Sequence, residues 1–154
     1  MKEIVVIGIG SRLMKDDAIG LSTVEALVKR GNLPEVRFVI GETDIDYCLS
    51  EVDQARVGTI VIVDAMICGG EPGEVTCREL EEINRDKMLP VSPHNLHLFS
   101  YLFQDHLAEK TKVIGIEPAE VDVHCGLSIK LEAMQELIAD KTEEILKHIC
   151  RKGK

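Results

Sequence analysis

The sequence predicts a doubly wound α/β fold: a mostly parallel, twisted sheet with helices on both faces and an antiparallel strand at one edge. Apolar runs rich in β-branched residues alternate along the chain with segments of helical periodicity. Glycine and proline residues separate these segments, and no repeat, low-complexity tract or linker interrupts the 154 residues. This length is within the usual size of one domain, so a single domain is predicted over residues 1–154.

The first half of the chain alternates between strand and helix. Its opening strand is short and almost wholly apolar, as expected for a strand buried on both faces of a parallel sheet. The helix after it has apolar residues three and four apart, and Gly31 ends it. The predicted elements are strand 4–9, helix 18–30, strand 36–40, helix 45–55 and strand 59–63, the last ending at Asp64.

The second half continues the alternation after a loop rich in glycine and proline. Residues 78–93 are polar and give no clear pattern, and residues 117–126 are predicted as a loop. Ser128 is predicted to cap a long last helix that runs to His148. The remaining predicted elements are edge strand 74–77, helix 95–109 and strand 112–116.

Composition excludes several classes of function. A formal net charge of -9 argues against a nucleic-acid partner, because binding to phosphates depends on basic residues. No segment approaches the roughly 20 consecutive apolar residues of a membrane span. The five cysteines are irregularly spaced, with no C-x-x-C pair, so we expect reduced thiols rather than a disulfide framework or a structural zinc site. A cytoplasmic protein is therefore predicted.

The loop after the first strand favours a cation over a phosphate. Gly8 and Gly10 begin a dinucleotide-binding pattern, but Leu13 occupies the position of its third glycine. Asp16 and Asp17 would also repel a pyrophosphate at the start of the following helix.

Three polar residues are predicted where an open α/β sheet binds its ligands, beyond the carboxyl ends of strands. Asp17 follows the first strand, Asp64 ends the third and His94 precedes a helix. Two carboxylates and one imidazole form a mixed oxygen and nitrogen site, suited to nickel, zinc or another divalent first-row metal with open coordination positions. Strands one and three are expected to be neighbours, which would bring these residues within metal-binding reach.

Each residue also has a purely structural interpretation. Asp16 or Asp17 could cap the first helix, Asp64 could hold a turn after its strand, and His94 could simply precede its helix. The joint placement of the three residues favours a site.

Other groupings carry less chemistry. His97 lies three residues after His94, but no carboxylate is spaced to form a zinc-protease helix, so His97 is predicted to be an ordinary surface or core-edge histidine. His124 and Cys125 are adjacent and would point in opposite directions in an extended segment. Cys125 is therefore predicted to be a small buried residue and not a nucleophile.

The segment GIGSRLMKDDAIG, residues 8–20, resembles the N-terminal motif of the hydrogenase maturation endopeptidases. Four further segments occur in that family's order and approximate spacing, so the resemblance covers most of the chain. They are IVIVDA at 60–65, PGE at 72–74, PHNL at 93–96 and IGIEP at 114–118.

This resemblance implies an endopeptidase that removes a C-terminal extension from the large subunit of a nickel-iron hydrogenase after nickel insertion. It assigns the family's metal-binding and catalytic positions to Asp17, Asp64 and His94, and makes Asp16 a neighbour of the site rather than a ligand. The implied metal is nickel supplied by the precursor, although another divalent metal can occupy such a site in vitro. The implied partner is that precursor, and the implied state is a monomer.

The resemblance leaves the role of the metal open: it could polarise the scissile carbonyl, lower the pKa of a water molecule or serve recognition alone. A noncatalytic nickel-binding assembly factor on the same fold is the main alternative. A small-molecule hydrolase is disfavoured because the chain has no recognisable nucleophile motif.

Two segments depart from the family pattern. Ser11 replaces the usual asparagine, and Ile40-Gly41-Glu42-Thr43 replaces an Asp-Gly-Gly-Thr or similar segment after the second strand. In this family the second segment borders the expected substrate cleft, so Gly41 and Thr43 are predicted to bind substrate, and the change leaves the identity of the cleaved partner open.

Overall fold

A computed structural model describes residues 2–85, 89–90 and 93–153, without the side chains of residues 84–85, 89–90 and 93–96. Its elements follow the predicted alternation of strands and helices. In chain order they are β1 (Glu3–Ile9), α1 (Ile19–Arg30), β2 (Val36–Glu42), α2 (Ile45–Ser50), β3 (Val57–Ile67), β4 (Val75–Glu79), α3 (Leu80–Arg85), β5 (Leu89–Pro90), α4 (Pro93–Gln104), β6 (Thr111–Ile116) and α5 (Ile129–Lys152). Short 3-10 turns occupy Lys15–Ala18 and Ala108–Lys110.

The sheet has the order β2-β1-β3-β6-β4. β1 pairs in parallel with both β2 and β3, and β3 pairs in parallel with β6. β4 is the antiparallel edge strand beside β6, and β5 pairs antiparallel with the last residues of β3. The predicted fold class is therefore confirmed, including the antiparallel edge strand.

Helices cover both faces of this sheet, and the central strand supplies both cores. On β3, Ile60, Ile62 and Met66 face one core, which α2, α3 and α4 complete with residues such as Cys48, Leu80 and Leu98. The alternate β3 residues Val61, Val63 and Ala65 face the other core, together with Leu27 of α1 and Leu146 of α5. This alternation is the period of two of a β-strand buried on both sides.

Two predicted helices end earlier than their apolar pattern indicated. The helix predicted over 45–55 ends at Ser50, because Asp53 forms a turn. In this turn the Asp53 side chain accepts a hydrogen bond from the Ala55 N–H, and the Asp53 carbonyl accepts one from the Val57 N–H. The helix predicted over 95–109 covers Pro93–Gln104.

The third strand is longer than predicted, running over Val57–Ile67 instead of 59–63. Asp64 and Ala65 pair with β6, and Met66 and Ile67 pair with β5, which keeps these residues extended. Asp64 therefore lies inside the strand. Helix α3 and strand β5 lie in the polar stretch to which no element was assigned.

The last helix begins as predicted, since the Ser128 side chain accepts from the Leu131 N–H. It continues beyond His148 to Lys152. Among the residues that the structure describes, no helix is long and apolar enough to cross a membrane.

Helix α1 approaches β3 so closely that only glycine fits at its second position. A Cβ added at Gly20 would lie 2.3 Å from the Val63 carbonyl oxygen and 2.8 Å from the Asp64 Cα, both of them backbone atoms. Backbone cannot yield as the end of a flexible side chain can. Gly20 therefore sets the distance between the start of α1 and the part of β3 that carries Asp64.

We expect Gly20→Ala to destabilise the protein by about 1–3 kcal/mol, because the added methyl group must push α1 away from β3. Urea unfolding followed by circular dichroism measures this change. Ser22→Ala, two residues later in the same helix, is the matched control and should be close to neutral. Equal stability of Gly20→Ala and the native protein would contradict the close contact.

Candidate active site

The order of the first three strands creates a topological switch point between β1 and β3. The chain passes from β1 through α1 to β2, and then through α2 to β3 on the opposite side of β1. Helix α1 lies over one face of the sheet and α2 over the other. In open α/β sheets, ligands bind in the crevice at the carboxyl ends of the strands at such a point.

Asp64 lies at this point, on the central strand. The registered pairs of β1 with β3 end at Gly8 and Val63, so Asp64 is the first β3 residue beyond them. The residue is fully buried. Because side chains alternate along a strand, Asp64 faces the same side of the sheet as Ile62 and Met66, the side covered by α4. Its interpretation as a turn residue that ends the strand is wrong.

Asp17 lies in the 3-10 turn between β1 and α1, three residues before Gly20. It is 2% exposed, and its Oδ2 accepts a hydrogen bond of 2.8 Å from the Ser11 N–H. At Gly10 the backbone has a φ of 142°, and an added Cβ would lie 2.0 Å from the Asp17 carbonyl oxygen. Gly10 therefore permits the fold of the loop that brings Asp17 back to the end of β1.

Neither acidic residue caps the first helix. The N-cap of α1 is Ala18, and no side chain accepts a hydrogen bond there. The interpretation of Asp16 or Asp17 as a helix cap is therefore wrong, and the two carboxylates have other roles.

Asp16 connects this turn to a distant loop. Its Oδ2 accepts from the Ala119 and Glu120 N–H groups and from the Ser128 hydroxyl, and its Oδ1 accepts from the Ser128 N–H, all at 2.8 Å. The residue is fully buried. Sequence reasoning placed Asp16 beside the site without a role, because nothing local indicates donors more than 100 residues away.

The backbone of His94 lies in the first turn of α4, and its side chain lies outside the described residues. The path of the chain brings this turn toward the end of β3, since Pro90 pairs with Met66 and α4 begins at Pro93. Among the described side chains, which do not include that of His94, no group of three or more His, Cys, Asp or Glu residues forms a metal site. Convergence of Asp17, Asp64 and His94 therefore stays a prediction.

The segment predicted to bind substrate borders the same edge of the sheet. Gly41 is buried in β2, where an added Cβ would meet the Cys48 sulfur at 2.3 Å, so Gly41 can offer only its backbone. Thr43 is exposed in the turn that follows. The Glu42 carbonyl accepts from the Gly10 N–H, which joins this turn to the loop of Asp17. A substrate-binding role for Gly41 and Thr43 remains a prediction.

Arg12 holds the outer side of that loop in place. Its guanidinium bonds the carboxylates of Glu25 at 2.9 Å and Glu42 at 2.8 Å, which raises the pKa of Arg12. The pairs are half exposed, so their contribution to stability is small. Sequence reasoning missed this connection between α1 and β2.

Glu117 is a further buried acidic residue at this edge, which the sequence placed in a loop and in the IGIEP segment of the family resemblance, without a role. Its Oε2 accepts from the Cys68 N–H at 2.7 Å, while its backbone bonds Gly73 and Glu74. These contacts fix the loop after β3. The available signal was position, because Glu117 follows β6 directly.

The cysteines contribute little to the candidate site. Cys125 is exposed, so the prediction that it is buried is wrong; it lies beside His124, whose backbone bonds Leu13 and Lys15 at the surface. Burial raises the pKa of Cys48 to about 11, which makes its thiol a poor nucleophile at neutral pH.

An open groove of about 790 Å³ lies between β4 and the end of α5. It is near Lys112 at the start of β6, whereas the candidate site is at the end of the sheet where β6 finishes.

Comparison with known proteins identifies the family. The sequence profile of the hydrogenase maturation proteases matches residues 2–148. The chain belongs to the hydrogenase maturation protease family. It is 33% identical over 139 residues to the hydrogenase 2 maturation protease of Escherichia coli K12, covering 86% of this chain and 84% of that protein.

Solved structures agree with this assignment. The hydrogenase maturating endopeptidase HybD from Escherichia coli superposes with a TM-score of 0.76 at 27% identity, covering 95% of this chain and 93% of HybD. HybD from Thermococcus kodakarensis shares the fold, with a TM-score of 0.72 at 23% identity over 93% of this chain and 98% of that chain. The protein is a peptidase of this family. This assignment favours an enzyme over the alternative of a noncatalytic nickel-binding assembly factor.

The hydrogen bonds of Asp16 predict a large effect on stability. We expect Asp16→Asn to lower the free energy of unfolding by about 2–4 kcal/mol, because a carboxamide presents its own N–H groups to donors and leaves some of them without an acceptor. Urea denaturation measures the difference.

Ser128→Ala is the partial control, since it removes one donor to Asp16 and the cap of α5 but keeps the other three bonds. It should cost about 1–2 kcal/mol. A loss for Asp16→Asn no larger than for Ser128→Ala would show that the other three bonds contribute nothing.

Proposed function

We propose that this peptidase removes a C-terminal extension from the large-subunit precursor of a nickel-iron hydrogenase after nickel has been inserted. The observation that carries the proposal is the burial of Asp17 and Asp64 at the switch point of a hydrogenase maturation protease fold. The relatives support the general substrate class, since their names refer to hydrogenase maturation.

In this proposal Asp17, Asp64 and His94 bind nickel held by the precursor. Two carboxylate oxygens and an imidazole nitrogen are suitable donors for nickel, and three protein ligands leave positions for the precursor's own groups. Burial makes the charge of each carboxylate costly, and a divalent cation bound by both would offset that cost. The chemistry of the three residues and the burial of the two carboxylates therefore fit a cation.

The chain's residues would act by orienting the precursor. Asp17 is held by the Ser11 N–H and by the folded turn around it, and Asp64 is fixed within β3, where it pairs with Gly115 of β6. Nickel held between them and His94 would supply a Lewis acid beside the scissile bond, which polarises its carbonyl or activates water. Such a mechanism needs no serine or cysteine nucleophile.

The proposal also covers where and in what state the protein acts. We place the reaction in the cytoplasm, where thiols stay reduced, because the five cysteines follow no disulfide pattern. The proposed acting species is one copy of this chain with one precursor.

Replacing any of the three proposed ligands should abolish processing. We expect Asp17→Asn, Asp64→Asn and His94→Ala each to lower the cleavage rate by about 100-fold or more, because each removes a group that the reacting complex needs. Intact mass spectrometry of the nickel-loaded precursor measures cleavage, and circular dichroism checks that each variant is folded.

His97→Ala is the matched control for the histidine variant. It lies three residues after His94 on the same helix and is exposed, so cleavage should be unchanged. Full processing by a ligand variant would remove that residue from the mechanism.

Precursor without nickel should remain uncut even with abundant enzyme, because the proposed contact depends on metal carried by the substrate. Parallel incubations of nickel-loaded and nickel-free precursor, followed by intact mass, test this. A chelator should matter chiefly when it strips the precursor, and the isolated enzyme should bind nickel only modestly. Equal cleavage of both forms would exclude metal-dependent recognition.

A further inference from the structure

Glu42, the last residue of β2, bonds both chain neighbours of Ser11. Its carbonyl accepts a hydrogen bond of 2.9 Å from the Gly10 N–H, and its Oε1 accepts one of 2.8 Å from the Arg12 Nε. Ser11 lies between these two residues, and its N–H donates to the Asp17 carboxylate at 2.8 Å. One residue of β2 therefore restrains the loop on both sides of the group that holds a proposed ligand.

The backbone of Glu42 has a conformation that residues other than glycine rarely adopt. Its φ is 52°, in the left-handed region. The pairing of β1 with β2 also shifts here, from Gly8 with Ile40 to Ile9 with Glu42, so that Gly41 is an extra residue in β2. Such a bulge redirects the side chains of a strand, and backbone strain of this kind is concentrated at functional sites.

Arg12 extends the restraint from β2 to helix α1. Its Nη1 donates to Glu25 of α1 at 2.9 Å, while its Nε donates to Glu42. Both ion pairs are half exposed, so they add little to the stability of the fold. Strain at Glu42 is thus not explained by a large gain in stability, which favours a role in fixing a functional group.

We propose that Glu42 is a positioning residue for Asp17: by holding Gly10 and Arg12 it fixes the Ser11 N–H, and this N–H orients the Asp17 carboxylate. The inference rests on the proposed function for the role of Asp17 and adds to it a residue that acts through hydrogen bonds within the chain. The carboxylate is then already oriented when the precursor arrives, so that less ordering is needed at the time of reaction.

The test replaces Glu42 with glycine, which adopts a φ of 52° without strain and keeps the carbonyl that bonds Gly10, but removes the bond to Arg12. We expect the Ser11 amide of Glu42→Gly to exchange with solvent about fivefold faster or more, because the loop around it opens more often. Hydrogen exchange followed by NMR measures this in the protein alone. The Tm should stay within about 3 °C of the native value, since relief of strain offsets the loss of a half-exposed ion pair.

Cleavage of the nickel-loaded precursor by Glu42→Gly should slow about tenfold in kcat, because Asp17 is present but less well oriented. This loss should be smaller than that of Asp17→Asn. Glu42→Gln keeps a side-chain oxygen that can accept from Arg12, so it should recover most of kcat and most of the protection of the Ser11 amide.

Glu3→Ala is the matched control. Glu3 accepts from the Arg37 Nε at 2.7 Å, which is the same kind of pair between β1 and β2 at the opposite end of the two strands. Its loss should leave kcat and the exchange of the Ser11 amide unchanged.

Each other outcome overturns a distinct part of the proposal. Native exchange of the Ser11 amide in Glu42→Gly overturns the positioning role and leaves the proposed function intact, whereas faster exchange with native kcat overturns the importance of that role for cleavage. Slow cleavage by Glu42→Gln with a protected Ser11 amide assigns a direct role to the charge of Glu42, which also overturns positioning. If the native protein does not cut the precursor, the proposed function fails, and exchange at Ser11 still decides whether Glu42 holds the Asp17 loop.

Discussion

The position of β1 between β2 and β3, in parallel with both, is the constraint on which the site depends. This arrangement makes the chain leave the sheet in opposite directions after β1 and β2, so that a crevice opens at the carboxyl ends of β1 and β3. The chain then turns at Gly10 and returns as α1. This path requires the backbone of Gly10 to lie close to the backbone of Asp17, and the backbone of Gly20 to lie close to that of Val63. Packing of the main chain, more than attraction between side chains, therefore brings Asp17 to the end of the sheet where Asp64 lies.

The adjacent residues Asp16 and Asp17 make different contacts because they lie in a 3-10 turn. Successive side chains in such a turn point about 120° apart, since three residues complete one turn. Asp16 turns toward the 117–128 loop and accepts four hydrogen bonds there, whereas Asp17 accepts from Ser11 in its own loop. The anchoring of Asp16 in turn restrains the backbone of its neighbour, so the stability of this loop and the position of the proposed ligand are linked.

The sequence was sufficient for the elements whose pattern is local. Strand β1, helix α1 with its Gly31 end, and helix α5 with its Ser128 cap could be predicted to within a few residues, because hydrophobic periodicity and caps are properties of short segments. The neighbouring positions of β1 and β3 also followed from the alternation of strands and helices.

The errors arose where distant contacts decide the outcome. β3 extends past Asp64 because β5 and β6 pair with its end, and no local feature of residues 64–67 indicates those partners. Asp16 was left without a role because the groups that donate to it lie on a distant loop. Cys125 was wrongly predicted to be buried, because its exposure depends on how that same loop is folded. Placing Asp17 and Asp64 required only the order of the strands, whereas the support around them required the folded chain.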